Sequence, residues 1–134
     1  MDTVTWLILV FSWIGIVDTV YLIYHFITKT PVACPFFPPE WCRTVQQAPQ
    51  SRTFGIPNPI LGFCMYVALL VLMYLFAPAI WAYWAVRAII TIGFLFSMYF
   101  TYVQGFVLKA FCTWCVISAI NFVVMFVASF YLIR

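Results

Sequence analysis

Three long stretches of this 134-residue chain contain no Asp, Glu, Lys or Arg: residues 53–86, 88–108 and 110–133. Spans of roughly 20 apolar residues cross the hydrocarbon core of a bilayer as helices. Across the chain 67% of the residues are hydrophobic and 7% are charged, whereas soluble domains contain about 25% charged residues. A soluble domain of this length could not bury so much apolar surface. The sequence therefore predicts an integral membrane protein.

A further apolar run lies near the N-terminus, over residues 3–27. No Lys or Arg precedes it, and it is longer than the apolar region of a signal peptide, so we expect it to remain as the first span. Turn residues divide the rest into spans over residues 59–76, 80–103 and 111–133. The predicted fold is all-α and integral to the membrane: one domain, a bundle of four transmembrane helices, with no attached soluble domain.

Residues 28–56 differ from the rest, because they contain charged side chains, several prolines and a glutamine-rich run. We interpret them as the one substantial loop outside the membrane. Proline suits the first turn of a helix, so Pro38 and Pro39 predict a short helix that starts there. Aromatic residues such as Phe37 and Trp41 suit the membrane interface. This loop is therefore expected to cap the bundle at the bilayer surface.

The five cysteines are Cys34, Cys42, Cys64, Cys112 and Cys115. An odd count suggests two functional pairs and one bystander, and we expect Cys64, inside the second span, to pack as a small hydrophobe. Cys112 and Cys115 open the last span with two residues between them, a spacing that allows a disulfide within one helical turn. The dipole of a helix favours thiolate at its N-terminus. Cys34 and Cys42 form either a permanent disulfide or an exchangeable one.

Connectivity places the two pairs together. Each span reverses the side of the membrane, so the loop after the first span and the turn after the third lie on the same side. The pairs Cys34/Cys42 and Cys112/Cys115 are therefore expected at one face, which suggests a disulfide relay. Two alternatives remain: a non-enzymatic scaffold with two structural disulfides, and a metal carrier. The metal site is disfavoured, because this spacing does not bring the ligands to a fixed geometry.

Two ionisable residues fall in the first span. Ionisable side chains inside a span are costly and are functional candidates by default. Asp18 and His25 share a helix face by their spacing. Asp18 either accepts hydrogen bonds from hydroxyls such as those of Thr19 and Tyr21 or has a chemical role. His25, near the helix end, is either an ordinary interfacial residue or a catalytic one.

An ordered set of short motifs covers nearly the whole chain. They are Asp18-Thr19-Val20-Tyr21-Leu22, Cys34-Pro35 with Cys42, Phe54-Gly55-Ile56-Pro57, Gly62 with Tyr66, Phe96-Ser97-Met98-Tyr99 and Cys112-Thr113-Trp114-Cys115. In this order and at these separations they resemble the vitamin K epoxide reductase family, including its bacterial and archaeal members that form disulfides. The other quinone-coupled disulfide oxidase family has its Cys-x-x-Cys pair before the loop pair, the reverse of the order in this chain.

The resemblance implies a membrane thiol oxidase that regenerates disulfides in a thioredoxin-like partner. Cys34 and Cys42 are implied to be the shuttle pair that meets the partner, and Cys112 and Cys115 the active-site pair. Electrons are implied to pass on to a quinone of the ubiquinone, menaquinone or vitamin K type. The thioredoxin-like extension common in the family has no counterpart in this sequence, so the partner is expected to be a separate protein.

Three residues are expected beside the quinone: Asn58, Trp114 and Cys115. Cys115 lies about 4.5 Å deeper along the last helix than Cys112, so it is the natural neighbour of a lipid-soluble ring. Asn58, where the resemblance implies an asparagine near the quinone, either donates to a quinone carbonyl or is a turn residue between two prolines. Trp114 either packs over the disulfide or anchors the interface.

Three positions depart from the family pattern. Where the family often has serines after the second loop cysteine, this chain has Gln47 and Ala48. Where members that act on vitamin K have a tyrosine, it has Ala119. These departures favour a plain quinone reductase over the alternative, a vitamin K (epoxide) reductase.

The location predicted is the cell (plasma) membrane. The net charge of +3 is too small to suggest nucleic acid as a partner. Two rules disagree about the side of the membrane on which the cysteines lie. Oxidising pairs normally face the exported side, which is the side we favour. The positive-inside rule favours the cytoplasm, because basic residues are more numerous on the cysteine face. These are Lys29, Arg43, Arg52 and Lys109, against Arg87 and Arg134 on the other face.

Overall fold

The computed structural model describes residues 3–28, 37–47, 52–53, 56–76 and 79–132. Its elements in chain order are α1 (Thr3–Thr28), α2 (Pro39–Gln47), β1 (Arg52–Thr53), β2 (Ile56–Pro57), α3 (Asn58–Val71), α4 (Ile80–Tyr102) and α5 (Thr113–Leu132). Two π-helical turns, Leu72–Phe76 and Val103–Leu108, extend α3 and α4. The strands form a short antiparallel ladder that pairs Arg52 with Pro57 and Thr53 with Ile56.

Four of the described helices are long and apolar enough to cross a membrane: α1, α3 with its extension, α4 with its extension, and α5. In lipid each backbone N–H and C=O must be paired within the protein, which a helix does by itself. The predicted all-α bundle of four transmembrane helices, with a short helix in the loop after the first, is confirmed.

The bundle packs α1 against α3 and α5, and α4 against α5. Its core contains Ile8, Leu9, Tyr66, Leu69, Met73, Val86, Ile90, Phe122 and Met125. One contact is especially close, because a Cβ added at Gly15 would overlap the ring of Tyr66. Large apolar side chains are also exposed on the outer faces, among them Trp6, Trp13, Ile92, Leu95 and Val127. This apolar exterior is suited to contact with lipid chains.

The short helix α2 covers one end of the bundle. It is amphipathic: Cys42 and Val45 are fully buried, whereas Glu40 and Arg43 are exposed. The aromatic ring of Trp41 lies 5.6 Å from that of Phe37 and 6.5 Å from that of Phe111, measured between centroids. These contacts hold α2 over the segment that leads into α5.

The ends of two predicted helices were wrong by a few residues. The third span was predicted to end at residue 103 and to turn at 104–109, but the helix continues to Leu108 and breaks at Lys109, whose φ is 54°. The segment keeps helical hydrogen bonding, and at its end the carbonyl of Gln104 accepts a hydrogen bond from the amide of Ala110 at 2.9 Å. The last helix begins at Thr113 rather than 111, because Cys112 takes the capping position.

Candidate redox site

Cys112 and Cys115 lie at the start of α5, one helical turn apart. The carbonyl of Cys112 accepts the first hydrogen bond of the helix, from the amide of Val116 at 3.0 Å. Cys112 is fully buried, Cys115 is half-buried, and their side chains are hydrogen-bonded to each other. Both carry thiols in this structure. Two thiols in contact at a helix start need little movement to form a disulfide.

Gln104 holds the first of these cysteines in place. Its Oε1 accepts a hydrogen bond from the backbone N–H of Cys112 at 2.9 Å, and its own Nε2 donates to the carbonyl of Phe100 at 3.5 Å. The side chain is buried, within the π-helical turn Val103–Leu108. Gln104 was not among the residues predicted from the sequence, although a lone uncharged polar side chain between the apolar third span and the Cys-x-x-Cys motif was a usable signal.

Gln104→Met is expected to weaken the site, because it leaves the buried amide of Cys112 without its acceptor. Such a loss costs about 1–3 kcal/mol, and 1.4 kcal/mol corresponds to about tenfold in a rate or equilibrium. We expect a lower thermal unfolding midpoint in detergent and roughly tenfold slower oxidation of the Cys112/Cys115 dithiol. Ser129→Ala, which removes a buried hydroxyl elsewhere on α5, is the control. Equal midpoints and rates for Gln104→Met and the unmodified protein would contradict the role.

Cys42 packs against this site from the loop. It belongs to the same buried cluster as Cys112, together with Val45, Val103 and Ala110. Cys42 is part of a disulfide. Its predicted partner, Cys34, lies outside the described residues. The structure therefore places one member of the loop pair in the same buried cluster as the first cysteine of the Cys-x-x-Cys pair.

A cavity of about 420 Å³ opens on the other side of the cysteines, between the helices. Cys115, Trp114 and Asn58, the three residues expected beside a quinone, all line it. Asn58 begins α3, and the ring of Trp114 stacks on that of Tyr21, with 4.4 Å between centroids. The remaining wall is mostly apolar, with a few polar groups, which is the usual character of a site for a small organic ligand.

The family model for the vitamin K epoxide reductase family (VKOR) matches residues 6–130, nearly the whole chain. The chain belongs to the VKOR family. A comparison with curated proteins gives no match. Family membership identifies a multi-pass membrane oxidoreductase, and VKOR chemistry is linked in general to quinones and vitamin K.

Two other residues of this VKOR protein have environments that the sequence did not decide. Cys64 was expected to be buried by packing, which is wrong: it is exposed and borders the cavity, because the rotation of α3 is set by its contacts with α1. His25 is half-buried, and its ring contacts those of Tyr21 and Tyr24, at 4.5 and 5.2 Å between centroids. It is not part of the cavity wall.

Proposed function

We propose that this VKOR-family protein is a thiol oxidase that passes electrons from a thioredoxin-like partner to a membrane quinone. One observation carries the proposal: the two cysteines of the motif face different surroundings. Cys112 is buried against Cys42, whereas Cys115 borders the cavity. A relay needs this division, because one sulfur must exchange with the loop pair and the other must meet the electron acceptor.

The proposed relay consists of thiol–disulfide exchanges followed by one redox step. A thiolate of the partner attacks Cys34 in the Cys34–Cys42 disulfide, and the sulfur of Cys42 is released as a thiolate. Cys42 then attacks Cys112 in the Cys112–Cys115 disulfide, which releases Cys115 as a thiolate. The second thiol of the partner then displaces Cys34 from the mixed disulfide, and the freed Cys34 attacks Cys42, which releases Cys112 as a thiol and restores the Cys34–Cys42 disulfide. With both active-site sulfurs reduced, their oxidation back to the disulfide delivers two electrons and two protons to the quinone.

The cavity is suited to a quinone headgroup by its chemistry. Its wall combines aromatic side chains, including Trp114 and Phe122, with the amide of Asn58. An amide N–H of Asn58 can donate a hydrogen bond to a quinone carbonyl. Ala119 is buried and has no hydroxyl to donate, which favours a plain quinone over vitamin K epoxide as the substrate.

The test is a purified-protein assay. Wild-type protein in detergent, given a reduced dithiol and a short-chain ubiquinone or menaquinone, is expected to convert the quinone to quinol with matching loss of thiols. A protein with intact disulfides that does not reduce quinone would instead be a non-enzymatic scaffold. Turnover of vitamin K epoxide in place of the quinone would favour a vitamin K (epoxide) reductase.

We propose that the cysteine end of the bundle faces the exported side of the cell membrane, where disulfide formation is favoured. Thr44 is exposed on α2 at this end, so a Thr44→Cys variant reports on which side of the membrane the cysteine end lies. A membrane-impermeant thiol reagent is expected to label this cysteine in intact cells, with labelling that does not increase after lysis. Protection until lysis would place the site in the cytoplasm.

A further inference from the structure

Asp18 is the one acidic residue in the four membrane-crossing helices. Its side chain lines the cavity, although only 3% of the residue is exposed. Neither Oδ1 nor Oδ2 has a hydrogen-bond partner among the described residues. Burying a carboxyl group without a partner is costly. An orphaned acid that lines a cavity therefore calls for a ligand or a chemical role.

The purely structural explanation for Asp18 does not fit the hydrogen bonding. Thr19, a candidate donor from the sequence, donates its hydroxyl to its own helix instead, with carbonyl oxygens of Gly15 and Ile16 at 2.9 and 3.1 Å. Tyr21 lies against Trp114 through its ring. Neither hydroxyl is therefore hydrogen-bonded to the carboxyl group of Asp18.

The surroundings of Asp18 are those of the redox pair. Cys115 lines the same cavity, and Cys112 lies one helical turn before it at the start of α5. Among the described residues of the cavity wall, the side chains that can exchange a proton are Asp18, Cys64 and Cys115. The remaining polar groups of the wall are neutral hydroxyls and amides, and the buried Tyr66 behind it is hydrogen-bonded to Ser118 at 2.9 Å.

The redox step requires proton movement. When the thiols of Cys112 and Cys115 become a disulfide, two S–H bonds break, one S–S bond forms, and two electrons and two protons leave the pair. The quinone takes up the two electrons, and two O–H bonds form on its oxygens. We propose that Asp18 carries one of these protons from the cysteine pair to the quinone. It accepts the proton at an Oδ atom from the reacting thiol and gives it to a quinone oxygen. It returns to its starting state after each turnover, and this role rests on the proposed quinone-reducing function.

The test separates the two half-reactions of the full-length protein in detergent. In the first, a small dithiol reduces the Cys112–Cys115 disulfide; in the second, a short-chain ubiquinone reoxidises the dithiol. Asp18→Asn keeps the size of the side chain but cannot accept and return the proton. Since acid–base catalysis contributes about 10²–10⁴-fold, we expect at least a 100-fold slower second step and a first step within about threefold of wild type.

Two further measurements distinguish proton transfer from a structural effect. Asp18→Ala is expected to regain quinone reduction when formate is added, because the cavity can admit a small acid in place of the lost carboxyl group. Glu40→Gln, the same carboxyl-to-amide change at an exposed position on α2, is the matched control and should behave as wild type. Thermal unfolding midpoints check that each variant is folded.

The outcomes are distinct. A second step in Asp18→Asn within about threefold of wild type overturns the role of Asp18 while the quinone function stands. Equal slowing of both half-reactions in Asp18→Asn, with no formate rescue of Asp18→Ala, also overturns it and shows a structural residue. Wild-type protein that cannot reduce quinone at all overturns the proposed function, and the role of Asp18 with it.

Discussion

Cys115→Ala is expected to abolish quinone reduction and to trap a disulfide between Cys42 and Cys112. Cys115 is the sulfur of the active-site pair that borders the cavity, so its removal leaves that pair with no thiol beside the electron acceptor. Cys112 still belongs to the same buried cluster as Cys42, so it can attack that sulfur and release Cys34 as a thiol. The thiol of Cys115, which would close onto Cys112 and release Cys42, is absent. Redox partners act as a unit, and we expect at least about a 10³-fold loss.

Two measurements check this prediction. Quinone consumption by the purified variant should fall to the rate without protein, and mass spectrometry of non-reduced peptides should find Cys42 linked to Cys112. Cys112→Ala should also lose quinone reduction, but it should form no disulfide to Cys42. Its remaining active-site thiol, Cys115, faces the cavity and not Cys42. Ser129→Ala on the same helix is the control for folding. Quinone reduction by Cys115→Ala at the wild-type rate would refute the relay.

Cys42→Ala is expected to disconnect the protein partner from the quinone. The fully buried position of Cys42 against Cys112 makes it the sulfur that passes electrons into the bundle. Without it, electrons that reach Cys34 go no further. We expect partner-driven quinone reduction to fall by at least about 10³-fold, because the relay again loses a whole step.

The same variant should trap the partner. Incubated with an oxidised thioredoxin-like protein, Cys34 can attack the partner's disulfide and release the partner's second cysteine as a thiol. Cys42, the residue of this protein that would displace the partner from Cys34, is absent. A mixed disulfide that contains Cys34 should therefore accumulate on non-reducing gels and disappear with a reductant. Thr44→Ala, an exposed change on the same short helix, should form none. Absence of the adduct in Cys42→Ala would count against Cys34 as the entry point.

The residues around Asp18 and Gln104 show why part of the site was beyond prediction. Each transmembrane helix is apolar around most of its circumference, so the sequence has no polar face that marks which side points inward. Asp18 was recognisable as unusual, but its place in the cavity wall beside Cys115 depends on how α1 rotates against α3 and α5. Gln104 was assigned to a turn, because nothing local signals that the helix continues to Leu108 before the chain reverses at Lys109.

By itself, the sequence determined the four membrane spans, the short helix that begins at Pro39 and the family motif at Cys112 and Cys115. These are local properties, since span length, charge and residue spacing are readable along the chain. The tertiary structure alone decided that Cys112 packs against Cys42 while Cys115 opens onto a cavity, and that the orphaned carboxyl group of Asp18 shares this cavity. Such relations join residues far apart in the chain, and they arise only when helix packing fixes the rotation of each helix about its axis.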